Sequence, residues 1–211
     1  VRDKAHASAV VVRVSGQDTH SDTNDLPRWS GNAANDPLGY LSYFAKASGD
    51  GIRWKPGAFL SPGSSFTVTF LWRRTPSEAD AKLFDQAVTA WMRLGGLGLR
   101  ARRGFGAVRD TGADIDEDEF LRWARALPGV QVAPVGSCRT HGGKAWDGAM
   151  RDLGTFLKTF RKDKGLNGKN ATVLGCSDPR IASSLLLRPV WVLGGLLPVV
   201  CEPRRGRRGR G

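Results

Sequence analysis

Leu94-Gly95-Gly96-Leu97-Gly98-Leu99-Arg100-Ala101-Arg102-Arg103-Gly104-Phe105-Gly106-Ala107-Val108-Arg109-Asp110 sets five glycines and four arginines between a helical pattern and an apolar residue able to start a strand. Glycine takes positive φ without strain and lets a ligand approach the main chain with no Cβ between them. Gly95, Gly96, Gly98, Gly104 and Gly106 are therefore expected to present main-chain N–H groups, and Arg100, Arg102 and Arg103 add forked cationic donors suited to phosphate. Together they predict an anion cradle. The same composition also describes a solvated surface loop.

Upstream of this stretch, Ala9–Val14 reads as a short strand, and Ser65–Trp72 alternates Phe66, Val68 and Phe70 with Thr67 and Thr69, as in a half-buried strand. Thr75-Pro76-Ser77-Glu78 reads as a helix start, with Thr75 as N-cap and Pro76 in the first turn. The helix then runs to about Leu94, burying Leu83, Phe84, Ala87, Val88, Trp91 and Leu94, and stops at Gly95 and Gly96. A strand is expected to follow from Val108. Between the two early strands, the polar stretch through Asn35 lacks ion-binding spacing. In Pro37–Phe44 the aromatics suit base stacking or core packing, and their density beside Leu38 and Leu41 favours the core.

Downstream, Asp114–Leu127 reads as a helix with Asp116, Glu117, Asp118 and Glu119 compensating the dipole at its start. Ala145–Lys162 is a second long amphipathic helix, with Trp146, Met150, Leu153, Phe156, Leu157 and Phe160 at helical spacing. Its basic end, Lys158, Arg161, Lys162 and Lys164, answers equally to dipole compensation and to a phosphate-contacting surface. Ala171–Leu174 is strand-like and Asp178-Pro179 a turn. Ser184–Val200 is strongly apolar but interrupted by Arg188, Pro189, Gly194, Gly195 and Pro198, which predicts two buried strands joined at the glycines and no transmembrane span. The end, from Pro203, is arginine-rich and reads as a disordered, polyanion-seeking tail.

In 211 residues, a net charge of +12 predicts attraction to polyanions, nucleic acid first, and 40% hydrophobic residues suffice for a core. The three cysteines, Cys138, Cys176 and Cys201, are too sparse for a disulfide framework and fit a reducing, cytoplasmic setting. Cys138 and His141 lack the further ligands a zinc site needs, so no metal or other cofactor is expected. The charged opening Val1-Arg2-Asp3-Lys4 reads as no signal peptide, and the missing initiator Met as a chain cut from a longer one.

No GxSxG elbow, HExxH or Walker A motif is present. The glycines of the central stretch follow a helix and do not open one, which contradicts a dinucleotide turn. Arg103-Gly104-Phe105-Gly106 with Val108 matches part of the RNA-recognition consensus, but Ala107 and Asp110 stand where that pattern wants aromatics. An enzyme alternative is a metal-independent ribonuclease using His141 or an acid such as Asp147, although no paired acid and base stand at a useful spacing. A third reading is a generic basic scaffold.

With the strand, the capped helix and GGLGLRARRGFG in place, the chain resembles the RAMP superfamily of CRISPR-associated proteins. The glycine-rich stretch looks like the form in the Cmr one family of type III-B effector subunits. Arg180-Ile181-Ala182-Ser183-Ser184-Leu185-Leu186-Leu187-Arg188 is similar to that family's C-terminal segment, with Ser184 where a proline is usual. The resemblance implies an α+β fold of ferredoxin-like (RRM-like) units with antiparallel sheet, as many as two, the first incomplete because the family's opening strand and basic first helix do not precede Val1. It implies a ferredoxin-like unit over residues 1–112, a second α+β unit over 113–202 and a tail over 203–211. It further implies a non-catalytic, cytoplasmic subunit for antiviral defence that binds CRISPR guide RNA and target RNA beside sibling RAMP subunits, with no membrane partner. The RNA contacts expected are Gly95, Gly96, Gly98, Arg100, Arg102, Arg103, Gly104, Phe105, Gly106, Arg180 and Arg188.

Overall fold

In the computed structural model, the described residues are 8–18, 36–42, 60, 63–98, 101–112, 115–140, 145–165, 176–177, 180–181 and 184–203. The expected strand at Ala171–Leu174, the Asp178-Pro179 turn, His141 and the basic tail lie outside them.

The chain opens with β1 (Val10–Asp18), the short helix α1 (Pro37–Ser42) and β2 (Ser65–Trp72). β1 and β2 pair antiparallel, Val10 opposite Trp72 and Val14 opposite Val68, so their apolar residues share one face. Along β2 the exposure alternates as the sequence pattern requires. Helix α2 (Glu78–Leu94) follows and sets Phe84 edge-on against Phe70 and Trp72.

Two details of α2 correct the sequence reading. Its N-cap is Ser77, whose Oγ accepts the Asp80 N–H at 3.1 Å and donates to the Asp80 carboxylate at 2.8 Å. Thr75 and Ser77 both start a cap-like pattern, and the second completes it because Asp80 closes the hydroxyl–carboxylate pair. Leu83 and Ala87, both expected on the buried face, are exposed, Leu83 to 66%.

After the glycine-rich loop come α3 (Glu117–Ala126), β3 (Val130–Pro134), β4 (Arg139–Thr140), α4 (Ala145–Asp163), β5 (Cys176–Ser177), β6 (Arg180–Ile181), β7 (Leu186–Val192) and β8 (Gly195–Pro203). Helix α3 starts three residues after Asp114. Asp116 is its N-cap, accepting the Glu119 N–H at 2.8 Å, so the acidic cluster does serve the helix terminus. No strand begins at Val108; the loop there makes only a single antiparallel pairing of Gly96 with Ala107.

β8 is the middle strand of the larger sheet. β3 and β4 line one of its edges in succession and β7 lines the other, all antiparallel to it. β3 and β7 therefore run parallel with β8 between them, joined through α4, which is a split β-α-β unit. Both faces of this sheet are covered, which is why β7 and β8 read as a near-continuous apolar run. On one face Leu187 and Val200 pack with α4 (Met150, Leu153, Leu157) and α1 (Leu38, Leu41). On the other, Val190, Val192, Leu197, Val199 and Cys201 pack with α3 (Phe120, Leu121, Ala124) and with Leu94 at the end of α2. Helix α1 can lie against α4 because Gly154 has no side chain: a Cβ there would stand 2.3 Å from the Pro37 carbonyl oxygen.

Candidate nucleic-acid interface

The glycine-rich loop lies along the free edge of β7. Arg103 pairs in parallel with Leu187, and the Leu187 N–H donates to the Arg102 carbonyl at 3.0 Å. A second clasp closes the loop on itself, with the Leu97 N–H donating to Gly106 O at 2.9 Å. Phe105 packs against the α4 core and stands edge-on to Trp146, ring centroids 5.8 Å apart.

The glycines divide by what each one permits. Gly104 (φ +90) is buried, and a Cβ there would meet Met150 Sδ at 2.7 Å, so this residue seats the loop on α4. Gly106 (φ +64) would drive a Cβ to 1.9 Å from Leu97 O. Gly95 is neither left-handed nor free to donate outward: its φ is −78° and its N–H donates to Trp91 O at 2.7 Å, ending α2. Gly98 (φ +80) is exposed with open space around it. The expectation that all five glycines offer their N–H groups is thus corrected at Gly95, where the helix end consumes it.

Among the arginines, Arg102 is exposed and Arg103 half-buried. Arg109, outside the expected set, lies over the Trp191 ring at 4.9 Å. Arg100 is outside the described residues. So is the side chain of Arg180, whose main chain pairs with Ser177 in the small β5–β6 hairpin.

Arg188 occupies a different position from the one expected of an RNA contact. It is 1% exposed on the α3 side of the sheet, with Nε donating to Leu94 O at 2.9 Å. Its Nη1 and Nη2 have no hydrogen-bond partner among the described residues. They lie against Gly96, where a Cβ would come within 2.5 Å of Nη2. Burial lowers the Arg188 guanidinium to about 10, and burial likewise raises the nearby Cys201 thiol to about 12. Sequence reasoning could see a cation inside an apolar run but not which face of the sheet it would occupy.

Among the described residues, no group of three His, Cys, Asp or Glu side chains is placed to hold a metal ion. Asp147 forms an ion pair with Arg151 at 2.8 Å, and Arg151 also reaches Asp36 at 3.0 Å, which ties α1 to α4. Asp36 itself accepts the Leu38 and Gly39 N–H groups at the start of α1. No described helix is long and apolar enough to cross a membrane.

These features define an α+β protein with antiparallel sheets, a split β-α-β unit of ferredoxin-like character, and a glycine- and arginine-rich loop docked on a sheet edge. A solved structure of the same fold is the crystal structure of Cmr1 from Pyrococcus furiosus in its apo form: TM-score 0.56, 20% sequence identity, covering 95% of this chain and 68% of that one. No family model matches the chain, and no curated protein matches it either.

Proposed function

We propose that this chain is a Cmr1-like RAMP subunit of a type III-B CRISPR ribonucleoprotein effector, and that it holds guide RNA or guide–target duplex by the sugar–phosphate backbone without cutting it. The observation that carries this reading is the seating of the loop. Gly104 on α4 and the Arg102–Leu187 hydrogen bond fix its main chain, while Arg102 and Gly98 stay exposed on the outer side. A fixed main chain with a cationic fork beside it suits phosphate contacts, which position a strand without reading its sequence. The net charge of +12 and the fold shared with Cmr1 support the same reading. Assembly with sibling subunits is supported by the β1–β2 ribbon, where Val12 and Val14 are 56% and 54% exposed, unusual for neighbouring valines on one face.

The test is Arg100→Ala combined with Arg102→Ala, assayed by filter binding of single-stranded RNA across a salt series. Each phosphate contact removed lowers the slope of log K against log salt by about 0.7 on a single strand. Weaker binding with a slope reduced by about 1.4 is the expected result; unchanged affinity and slope would reject the loop as the RNA contact. For the non-catalytic part, labelled RNA incubated with the purified chain in EDTA should remain intact.

A further inference from the structure

The basic end of α4 forms a cleft with α1. Tyr40, Lys158, Thr159, Arg161 and Lys162 line an open concavity of about 650 Å3. Arg161 is held at its rim: its guanidinium donates to the Tyr40 hydroxyl and lies 5.7 Å from that ring's centroid. Lys158 and Lys162 are exposed on either side of it.

Compensation of the helix dipole does not account for this grouping. Two of the last four carbonyls are already met by main-chain donors, Lys164 N–H to Phe160 O and Gly165 N–H to Lys162 O, both at 3.1 Å. Lys158 stands a turn before the last turn, which holds Arg161 and Lys162, and the dipole's influence fades within that last turn. The charges are also sorted by side. The three cations line the cleft with Tyr40, whereas Asp163 lines an adjoining depression that shares Thr159 with it, together with Asp152, which is ion-paired with Arg139 at 2.6 Å.

We infer that this cleft is a second binding site for nucleic-acid phosphates, distinct from the glycine-rich loop and on the same helix. Tyr40 has its hydroxyl engaged by Arg161 and its ring close to that guanidinium, so the cleft grips charge and does not stack bases. Its spacing from the loop suits one strand. Gly104 rests on Met150 and Leu153, and the cations begin five residues beyond Leu153 and end nine beyond it, roughly 8 to 14 Å along the axis. That is about two to four nucleotides at the axial spacing of ~3.4 Å per phosphate in a stacked strand. The inference rests on the reading that the chain binds RNA.

The experiment is Lys158→Gln with Lys162→Gln in the full chain, beside the charge-preserving Lys158→Arg with Lys162→Arg, in filter binding of an unstructured single-stranded RNA over a salt series. Circular dichroism melts confirm that each variant folds, as expected for exposed positions. The glutamine pair should bind about tenfold more weakly, with a slope lowered by about 1.4, and the arginine pair should bind like the parent. Parent-like affinity and slope in the glutamine pair would overturn the cleft while leaving the loop reading intact. So would a loss confined to phosphatidylserine vesicles, with RNA binding unchanged. A parent chain that binds no RNA at all would instead overturn the function proposed above.

Discussion

The Nε of Arg188 donates to the main-chain oxygen of Leu94 at 2.9 Å, joining the middle of β7 to the last residue of α2 across 94 positions of sequence. The bond satisfies a carbonyl that the helix end leaves without an intrahelical donor. It also fixes the guanidinium against Gly96, at the root of the glycine-rich loop. The loop is therefore held from beneath by a buried cation as well as from the side by Leu187.

Gly96→Ala is expected to destabilise the fold by about 1–3 kcal/mol, the range for overpacking a closed site. The contacting Nη2 belongs to a long side chain, but its burial and its bond to Leu94 leave it little room to retreat. In an Arg188→Ala background most of that cost should vanish. Urea unfolding of the four members of the cycle measures the coupling, and a coupling energy near zero would show that the two residues do not press on each other.

Arg188→Met should leave stability unchanged or raise it by up to about 3 kcal/mol, because a buried cation with unsatisfied nitrogens is costly and an apolar side chain of similar length fills its place. Arg188→Ala, which leaves a cavity, should lose about 2–4 kcal/mol. Denaturant midpoints decide the matter. A loss above about 2 kcal/mol in the methionine variant would mean that the guanidinium stabilises the fold outright.

Gly106→Ala and Gly98→Ala separate two uses of glycine in one loop. Both positions have positive φ, at a cost to alanine of about 1–2 kcal/mol. Only at Gly106 does the added carbon strike the main chain, 1.9 Å from Leu97 O, so only there should the Leu97–Gly106 clasp open. RNA affinity is expected to fall at least tenfold for Gly106→Ala and less than threefold for Gly98→Ala; equal effects would argue against the clasp.

Cys201 gives the alkaline limb of stability a definite sign. Burial raises its thiol from 9.0 to about 12, so above pH 9 the unfolded chain releases a proton that the native state keeps. Its contribution is complete below pH 9 and is lost as the pH climbs toward 12. Arg188, lowered from 12.5 to about 10, acts in the opposite direction but only above pH 10. From pH 9 to 10 the parent should therefore lose ~1 kcal/mol more than Cys201→Ala does. Urea titrations at the two pH values measure this, and parallel losses would contradict it.

Local pattern carried much of the fold. The period-2 alternation of Phe66, Val68 and Phe70 located β2 at its observed bounds, and helical spacing from Trp146 to Phe160 located α4 to within a residue of its end. The apolar run broken at Gly194 and Gly195 gave the β7–β8 hairpin. Failures came where neighbouring signals competed. The local pattern pointed to Thr75 as the cap, whereas Ser77 acts as it, because Asp80 closes the hydroxyl–carboxylate pair. Val108 looked like a strand start, yet among the described residues no strand pairs with it.

The sequence by itself determined the long helices and the most apolar strands, that the chain is strongly cationic, and that one stretch concentrates glycine with arginine. These follow from side-chain period and charge, which are local properties. Only the tertiary structure decided what each glycine and arginine in that pattern does. Gly96 and Arg188 are 92 positions apart, and they meet because β7 lies between β8 and the loop, with its even-numbered residues turned toward the end of α2. The same holds for Tyr40 and Arg161, brought into contact where α1 settles on Gly154. Close approach between distant segments depends on which residue lacks a side chain at the crossing, and no local period records that.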